Sequence, residues 1–230
     1  MATLFKEVVD LSHELFNNML GVSSTSMAAF WPLETHERSS TNSQGELSMA
    51  SKMILMSEHI STHFDAPYHF DPKGLTADRY PLDKLILLGH LLDFTAKQVR
   101  EAITRRDFEA AIERSGRAIK PGTALLAWTG QDHNWGKPGF AKERPYVDRE
   151  TALWLVDQGI ALFGTDLIGI DNPDDWRWTT HAVFLKRGVP MVQQLRNLGA
   201  LQDKEFYFVA LPLKIRDSTG GPVRAIALVV

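Results

Sequence analysis

The sequence predicts an α/β fold built on a mixed, strand-rich sheet, and three observations carry that prediction. Six short runs are apolar or alternate in polarity, at 47–56, 85–92, 124–128, 160–164, 206–213 and 223–230. Segments with helical spacing lie between them. The strand-like runs outnumber the helical ones, which favours a mixed sheet over a simple doubly wound one.

Each element has a local reason. The polar stretch 34–46 (ETHERSSTNSQGE) has no apolar periodicity and reads as a loop or mobile flap. Segment 104–116 (TRRDFEAAIERSG) puts Phe108, Ala111 and Ile112 on one face and ends at a glycine, so it reads as a helix. Segment 130–145 is rich in Gly, Pro and Lys but holds Trp135 and Phe140, the composition of an ordered binding loop. Segment 148–158 opens on Asp148 as a cap and buries Ala152, Leu153 and Leu155. A third helix is predicted over 181–187, stopped by Gly188 before the apolar VPMV.

Composition excludes several classes. The chain has 230 residues, of which 44% are apolar and 23% charged, enough for a substantial core and unlike a disordered or fibrous chain. No apolar run approaches the roughly 18 residues of a membrane span. A net charge of -3 gives no basic field for nucleic acid or an anionic membrane. There is no cysteine, which removes disulfides, thiolate nucleophiles and thiolate metal sites, so any metal is held by His, carboxylate, amide or backbone oxygen. The first residues lack the basic start and apolar stretch of a secretory signal, and a cytoplasmic protein is expected.

The chemistry concentrates in 58–70, EHISTHFDAPYHF, where three of the chain's eight histidines fall within eleven residues around an aspartate. Imidazole and carboxylate are the borderline ligands that suit zinc or manganese. In a straight strand His59 and His63 would stand roughly 13 Å apart, too far to share an ion. Shared ligation therefore requires the chain to turn at 60–62, and Pro67 stiffens the approach to His69. The whole H-x3-H-x-D-x-P-x-H pattern arises by chance from this composition at a rate on the order of 10⁻⁵ to 10⁻⁴.

HISTHFDAPYHF resembles the signature of the metal-dependent cyclase hydrolases, a family that includes bacterial kynurenine formamidases, isatin hydrolases and some dienelactone hydrolases. The resemblance extends over 1–230 as one domain: Asp10–Leu11–Ser12–His13, Gly164–Thr165–Asp166 with Ile170–Asp171, His181 with GVPMVQQL, and Leu211–Pro212–Leu213 with Gly221–Pro222–Val223–Arg224 are similar to its other blocks. It implies a swivelling β/β/α fold and a homodimer or homotetramer. It also implies metal ligation by His59, His63 and Asp65, with His69 as general acid/base. In dinuclear members a later His and Glu hold a second metal. The His falls on His181, and the Glu position, twelve residues on, is Gln193 with Gln194 beside it. Gln is neutral and a weak oxygen ligand, and two divalent cations within about 4 Å are hard to neutralise without that charge. One divalent ion, Mn2+ or Zn2+, is therefore expected, with Gln193 as a ligand and His181 as a neighbour or a second-metal ligand. This is most similar to mononuclear isatin hydrolases.

The expected reaction is attack of a metal-activated water on a carbon–nitrogen bond of a small aromatic or cyclic amide, with His69 shuttling the proton. His69 as a fourth ligand is the alternative. An aryl formamide or a lactone is the next substrate class, and a non-catalytic small-molecule binding protein the rival from another class. Trp31, Phe64, Tyr68, Trp176 and Trp178 are the aromatics expected to wall a flat pocket. Asp166 and Asp171 are expected to fix loops near the site, and Arg224 to close an ion pair.

Overall fold

A computed structural model describes residues 4–19 and 27–230. In chain order the strands are β1 (Glu7–Asp10), β2 (Ala28–Glu34), β3 (Ser51–Met56), β4 (His63–Asp65), β5 (Ile86–Asp93), β6 (Ala102–Ile103), β7 (Ala124–Trp128), β8 (Tyr146–Val147), β9 (Leu162–Thr165), β10 (Met191–Gln193), β11 (Phe206–Val209), β12 (Gly220–Pro222) and β13 (Ile226–Val229). The helices are α1 (His36–Asn42), α2 (Arg105–Ser115), α3 (Arg149–Asp157) and α4 (Thr179–Lys186).

Nine strands form one curled sheet in the order β1-β13-β11-β5-β7-β9-β10-β4-β12. Its middle, β5-β7-β9-β10, is parallel, and each parallel step is crossed by a helix: α2, α3, then α4. The outer pairs are antiparallel. The expected mixed sheet is thus the one observed.

Side-chain alternation divides the core into two layers. On one face Leu125, Phe163 and Met191 pack with Phe108 of α2, Leu155 of α3 and Phe184 of α4. On the other, Leu126, Leu162, Val192 and Phe64 pack with Phe206 and Phe208, because the sheet curls and covers its own inner surface. Gly89 permits the curl where β5 passes β11: a Cβ there would sit 2.0 Å from the Phe206 ring.

The helices follow their local signals. Asp148 accepts from the Thr151 N–H at 2.7 Å at the start of α3, and Thr104 and Asp107 form a capping box on α2, which ends at Gly116 with φ of 64°. Segment 34–46 corrects the expectation of a plain loop. Thr35 accepts from the Arg38 N–H at 3.1 Å and starts the short helix α1. Capping rather than apolar periodicity makes this helix, and only Ser39 is buried in it. It joins β2 to β3, a hairpin separate from the main sheet that leaves Trp31, Leu33, Met53, Ile54 and Leu55 exposed. Among the described residues, no helix is long and apolar enough to cross a membrane.

Candidate metal centre

The chain leaves β3 at Met56 and turns before β4, with Ser61 in the left-handed region at φ of 56° and Ile60 fully buried as an anchor. This is the turn that the His59–His63 spacing required, and it brings the two imidazoles to 5.3 Å between centroids. The hydroxyl of Thr62 secures the turn by donating to the Gln194 carbonyl at 2.6 Å. β4 then runs between β10 and β12, pairing His63 with Gln193 and Pro222, and Asp65 with Met191 and Gly220. After Ala66 a single turn, Pro67–His69, carries His69 back so that its ring stacks on His59 at 4.0 Å. Ligand-capable atoms of His59, Asp65 and His69 all lie within 4.8 Å of one another, and Nε2 of His63 is 3.2 Å from Asp65 Oδ1. Gly220 keeps the space open: a Cβ there would lie 2.3 Å from the Phe64 carbonyl and 2.7 Å from the His59 ring.

The hydrogen bonds behind these rings settle which nitrogens face Asp65. Nδ1–H of His63 donates to the Ser61 carbonyl at 2.7 Å, leaving Nε2 as the lone pair toward Asp65. The Thr219 hydroxyl donates to Glu58 and accepts from His59 Nε2–H at 2.8 Å, so the lone pair on His59 Nδ1 points at Asp65 Oδ1, 2.6 Å away. Nδ1–H of His181 donates to Asp171, and its Nε2 lies 3.9 Å from Asp65 Oδ2. Three imidazole lone pairs thus converge on one carboxylate. Two acceptors 2.6 Å apart need a positive charge between them, supplied by a proton on the imidazole or by a metal ion. Neutral nitrogen donors around one anionic oxygen donor suit zinc or manganese, so the residues present fit a divalent cation.

Asp65 is built to be that anion. In the metal-free protein burial alone would raise its pKa, but the positive charge that a proton brings to His63, and the hydrogen bonds that His59 and His63 donate when protonated, outweigh burial and hold the carboxyl well below the usual range. His69 reaches solvent at the rim. Loss of water on its packed side lowers its pKa to about 4, with the Asp65 charge opposing, so before anything binds it is neutral at pH 7 and ready to accept a proton.

Gln193 stands opposite His63 across β4 and β10. Its Nε2 donates to Asp65 Oδ2 and lies 2.8 Å from Nε2 of His181. The amide nitrogen, not the oxygen, therefore spans the gap between Asp65 and His181. Behind His181, Asp171 accepts from the backbone N–H of Thr180 at 2.6 Å and of His181 at 3.2 Å, while Arg144 donates to the Asp171 carbonyl at 2.8 Å. Asp166 similarly ties down loop 129–131, accepting from Thr129 and Gln131.

The aromatics disperse. Trp178 sits edge-on to His181 at 5.4 Å, and Phe70, not anticipated, stacks on His181 at 5.6 Å. Tyr68 is exposed one residue before His69, Trp31 is exposed on the hairpin, and Trp176 is 82% exposed. Phe64 corrects the expectation of a pocket wall. It is fully buried against Tyr80 in the layer beneath, because His63 and Asp65 on one face of β4 send Phe64 to the other. Arg224 makes the expected ion pair, donating two hydrogen bonds to Asp10 at 2.7 and 2.8 Å. Glu58 and Thr219, which orient His59, gave no sequence signal; Thr219 lies 160 residues away from it.

Residues 9–172 match the profile of the family described as "Putative cyclase". A curated relative, the kynurenine formamidase of Bacillus cereus, is 28% identical over 228 residues, covering 96% of each chain. Among solved structures, an isatin hydrolase bound to the product analogue thioisatinate superposes with a TM-score of 0.85 at 24% identity, covering 97% of this chain and 92% of that one. Isatin hydrolase A from Ralstonia solanacearum gives the same values. At these identities the structures speak to the fold.

Proposed function

We propose, from the premise that the chain belongs to the cyclase family, that it is a metal-dependent hydrolase cleaving a carbon–nitrogen bond of a small aromatic or cyclic amide. One observation carries the reading: the lone pairs of His59, His63 and His181 converge on the buried anion of Asp65, with a neutral imidazole, His69, at the open edge. A divalent ion in such a site supplies Lewis-acid polarisation of an amide carbonyl and makes a water acidic enough to act near neutral pH. His59, His63 and Asp65 would hold it. His69 accepts the proton of the attacking water and returns it to the leaving nitrogen, for which its neutral state at pH 7 and solvent-facing position fit. Asp171 and Thr219 keep His181 and His59 in the tautomers that present the correct nitrogen.

Gln193 supports a single ion. Its amide donates to Asp65 and reaches His181, occupying the gap that a second cation would need, and it brings no charge to neutralise one. Together with the isatin hydrolase fold neighbours, this favours a fused cyclic amide such as isatin as the substrate. The kynurenine formamidase relatives support a second reading, an aryl formamide. Parallel assays on isatin and N-formylkynurenine with the manganese- and zinc-loaded protein choose between them. Turnover of isatin is expected, and turnover of the formamide alone would replace it with the second reading. The exposed apolar hairpin β2–β3 supports a homodimer or homotetramer, in which a second copy covers Met53, Ile54 and Leu55.

A further inference from the structure

A cavity lies outside the metal ligand set, beside the core layer that holds Phe64 and Val192. His63, Asp65 and Gln193 point to one side. Thr62, Phe64 and Val192 point to the other, where Phe64 and Val192 enter the core layer with Leu195, Leu198 and Leu201. Trp128 packs against that same layer at the end of β7. Beside it opens a cavity of about 440 Å³ whose lining includes His13, Trp128, Asp132, Trp135, Arg196 and Gly199, none of them part of the metal cluster.

Three rings supply flat walls. His13 and Trp135 stack at 4.2 Å with 12° between planes. The Trp128 indole lies against Gly199, where a Cβ would come within 2.7 Å of the ring. His13 is fixed from below, its N–H donating to Thr62 at 3.0 Å, and burial holds its imidazole neutral with a pKa of about 4.

The charged groups are of opposite sign. Asp132 uses Oδ2 to accept from the Asn197 N–H at 2.8 Å, while Oδ1 is buried without a hydrogen bond, with Nε2 of the exposed His133 4.0 Å away, and Nε2 of His13 is likewise buried without one. A buried acceptor left unmade is costly, and that cost is recovered by a ligand that donates to it. Arg196 is exposed and belongs to none of the ion pairs among the described residues. Both charges bear on His13, from opposite signs, so a cationic and an anionic anchor flank one flat wall.

We propose that this cavity binds an aromatic α-amino acid: its carboxylate on Arg196, its ammonium on Asp132 Oδ1, and its ring against the indoles of Trp128 and Trp135. Neither a simple aromatic acid nor an amine would use both anchors. The site is independent of the reaction proposed above, and its test does not depend on turnover.

Titration calorimetry of the full-length protein with L-tryptophan, indole-3-propionate and tryptamine separates the anchors. L-tryptophan is expected to bind at least about tenfold more tightly than either analogue, a difference of about 1.4 kcal/mol. Arg196→Gln is expected to weaken tryptophan and indole-3-propionate while leaving tryptamine unchanged. Asp132→Asn is expected to weaken tryptophan and tryptamine while leaving indole-3-propionate unchanged. Because Asp132 also holds a backbone N–H, thermal melting of each variant accompanies the titrations, and the pattern across the three probes, which a general loss of structure would not reproduce, carries the test. Gly199→Ala, which displaces Trp128 without touching a charge, is expected to weaken all three. His69→Ala is expected to leave every affinity unchanged. No binding of tryptophan up to about 5 mM, equal affinity for the three probes, or loss of binding in His69→Ala would overturn the proposal.

Discussion

Replacing Gln193 by Glu tests the one-ion reading where the structure is most explicit. The Gln193 amide donates to the buried Asp65 carboxylate, so the substitution sets a second carboxyl against the first. At an effective dielectric near 20, two like charges about 3 Å apart repel by about 5 kcal/mol. Holding the new carboxyl protonated at pH 7, from an unfolded pKa of about 4.3, costs about 3.7 kcal/mol. The cheaper route wins, and the protonated carboxyl then donates to Asp65 much as the amide did. The metal-free variant is therefore expected to lose about 4 kcal/mol at pH 7, or roughly 8–16 °C in Tm for a chain of this size. The sign follows from a carboxyl whose folded pKa is raised: the penalty is absent below about pH 4.3 and grows as pH rises toward 7. Excess divalent ion should reverse the loss, because the added charge completes a second site between Asp65 and His181. Thermal melting in chelator across pH 5–7, paired with elemental analysis of the loaded protein, reads both effects. Wild type should carry one ion per chain and Gln193→Glu two. An unchanged Tm in chelator at pH 7, or two ions in the wild type, would refute the reasoning.

Three further outcomes are expected. Thr219→Val removes the hydroxyl that holds Nε2–H of His59, and metal affinity measured by competition with a chromophoric chelator should fall about 10–100-fold; unchanged affinity would remove His59 from the site. His13 has a folded pKa of about 4 against 6.5 unfolded, so below pH 6.5 the unfolded chain takes a proton that the folded one refuses. Its contribution is lost as pH falls from 6.5 toward 4. His13→Phe, which keeps the stacking on Trp135, should therefore gain stability relative to wild type over that range in denaturant titrations, and a pH-independent difference would contradict the assignment. Ile54→Asp on the exposed hairpin should shift the sedimenting species toward monomer with Tm little changed; an unaltered oligomer would place the interface elsewhere.

The metal motif is legible in the sequence because it is local. His59, His63 and Asp65 lie within seven residues, and chain geometry alone demanded the turn now seen at Ser61. What orients them is not local. Thr219 reaches His59 from beyond β11, and the Gln193–His181–Asp171 chain joins β10, α4 and the loop after β9 through sheet pairing that no spacing rule encodes. Period-two alternation between His63 and Asp65 sends Phe64 to the other face, a relation the sequence itself carries. The helix α1 leaves no periodic signature: Thr35 and the serines that follow satisfy backbone groups without any apolar stripe. The strands of the parallel middle are legible because β7 and β9 are buried on both faces and so appear as continuous apolar runs.

The central claim is that His69 moves the proton in an amide hydrolysis supported by an ion on His59, His63 and Asp65. Its most direct test is hydrolysis of isatin and N-formylkynurenine by manganese- and zinc-loaded protein, run beside the chelated protein and His69→Ala, with bound metal quantified in each. The account predicts turnover of isatin that chelation abolishes, and loss of about 10²–10⁴-fold in kcat for His69→Ala with its metal still bound. Full activity in His69→Ala, or metal bound with neither substrate cleaved, would contradict it.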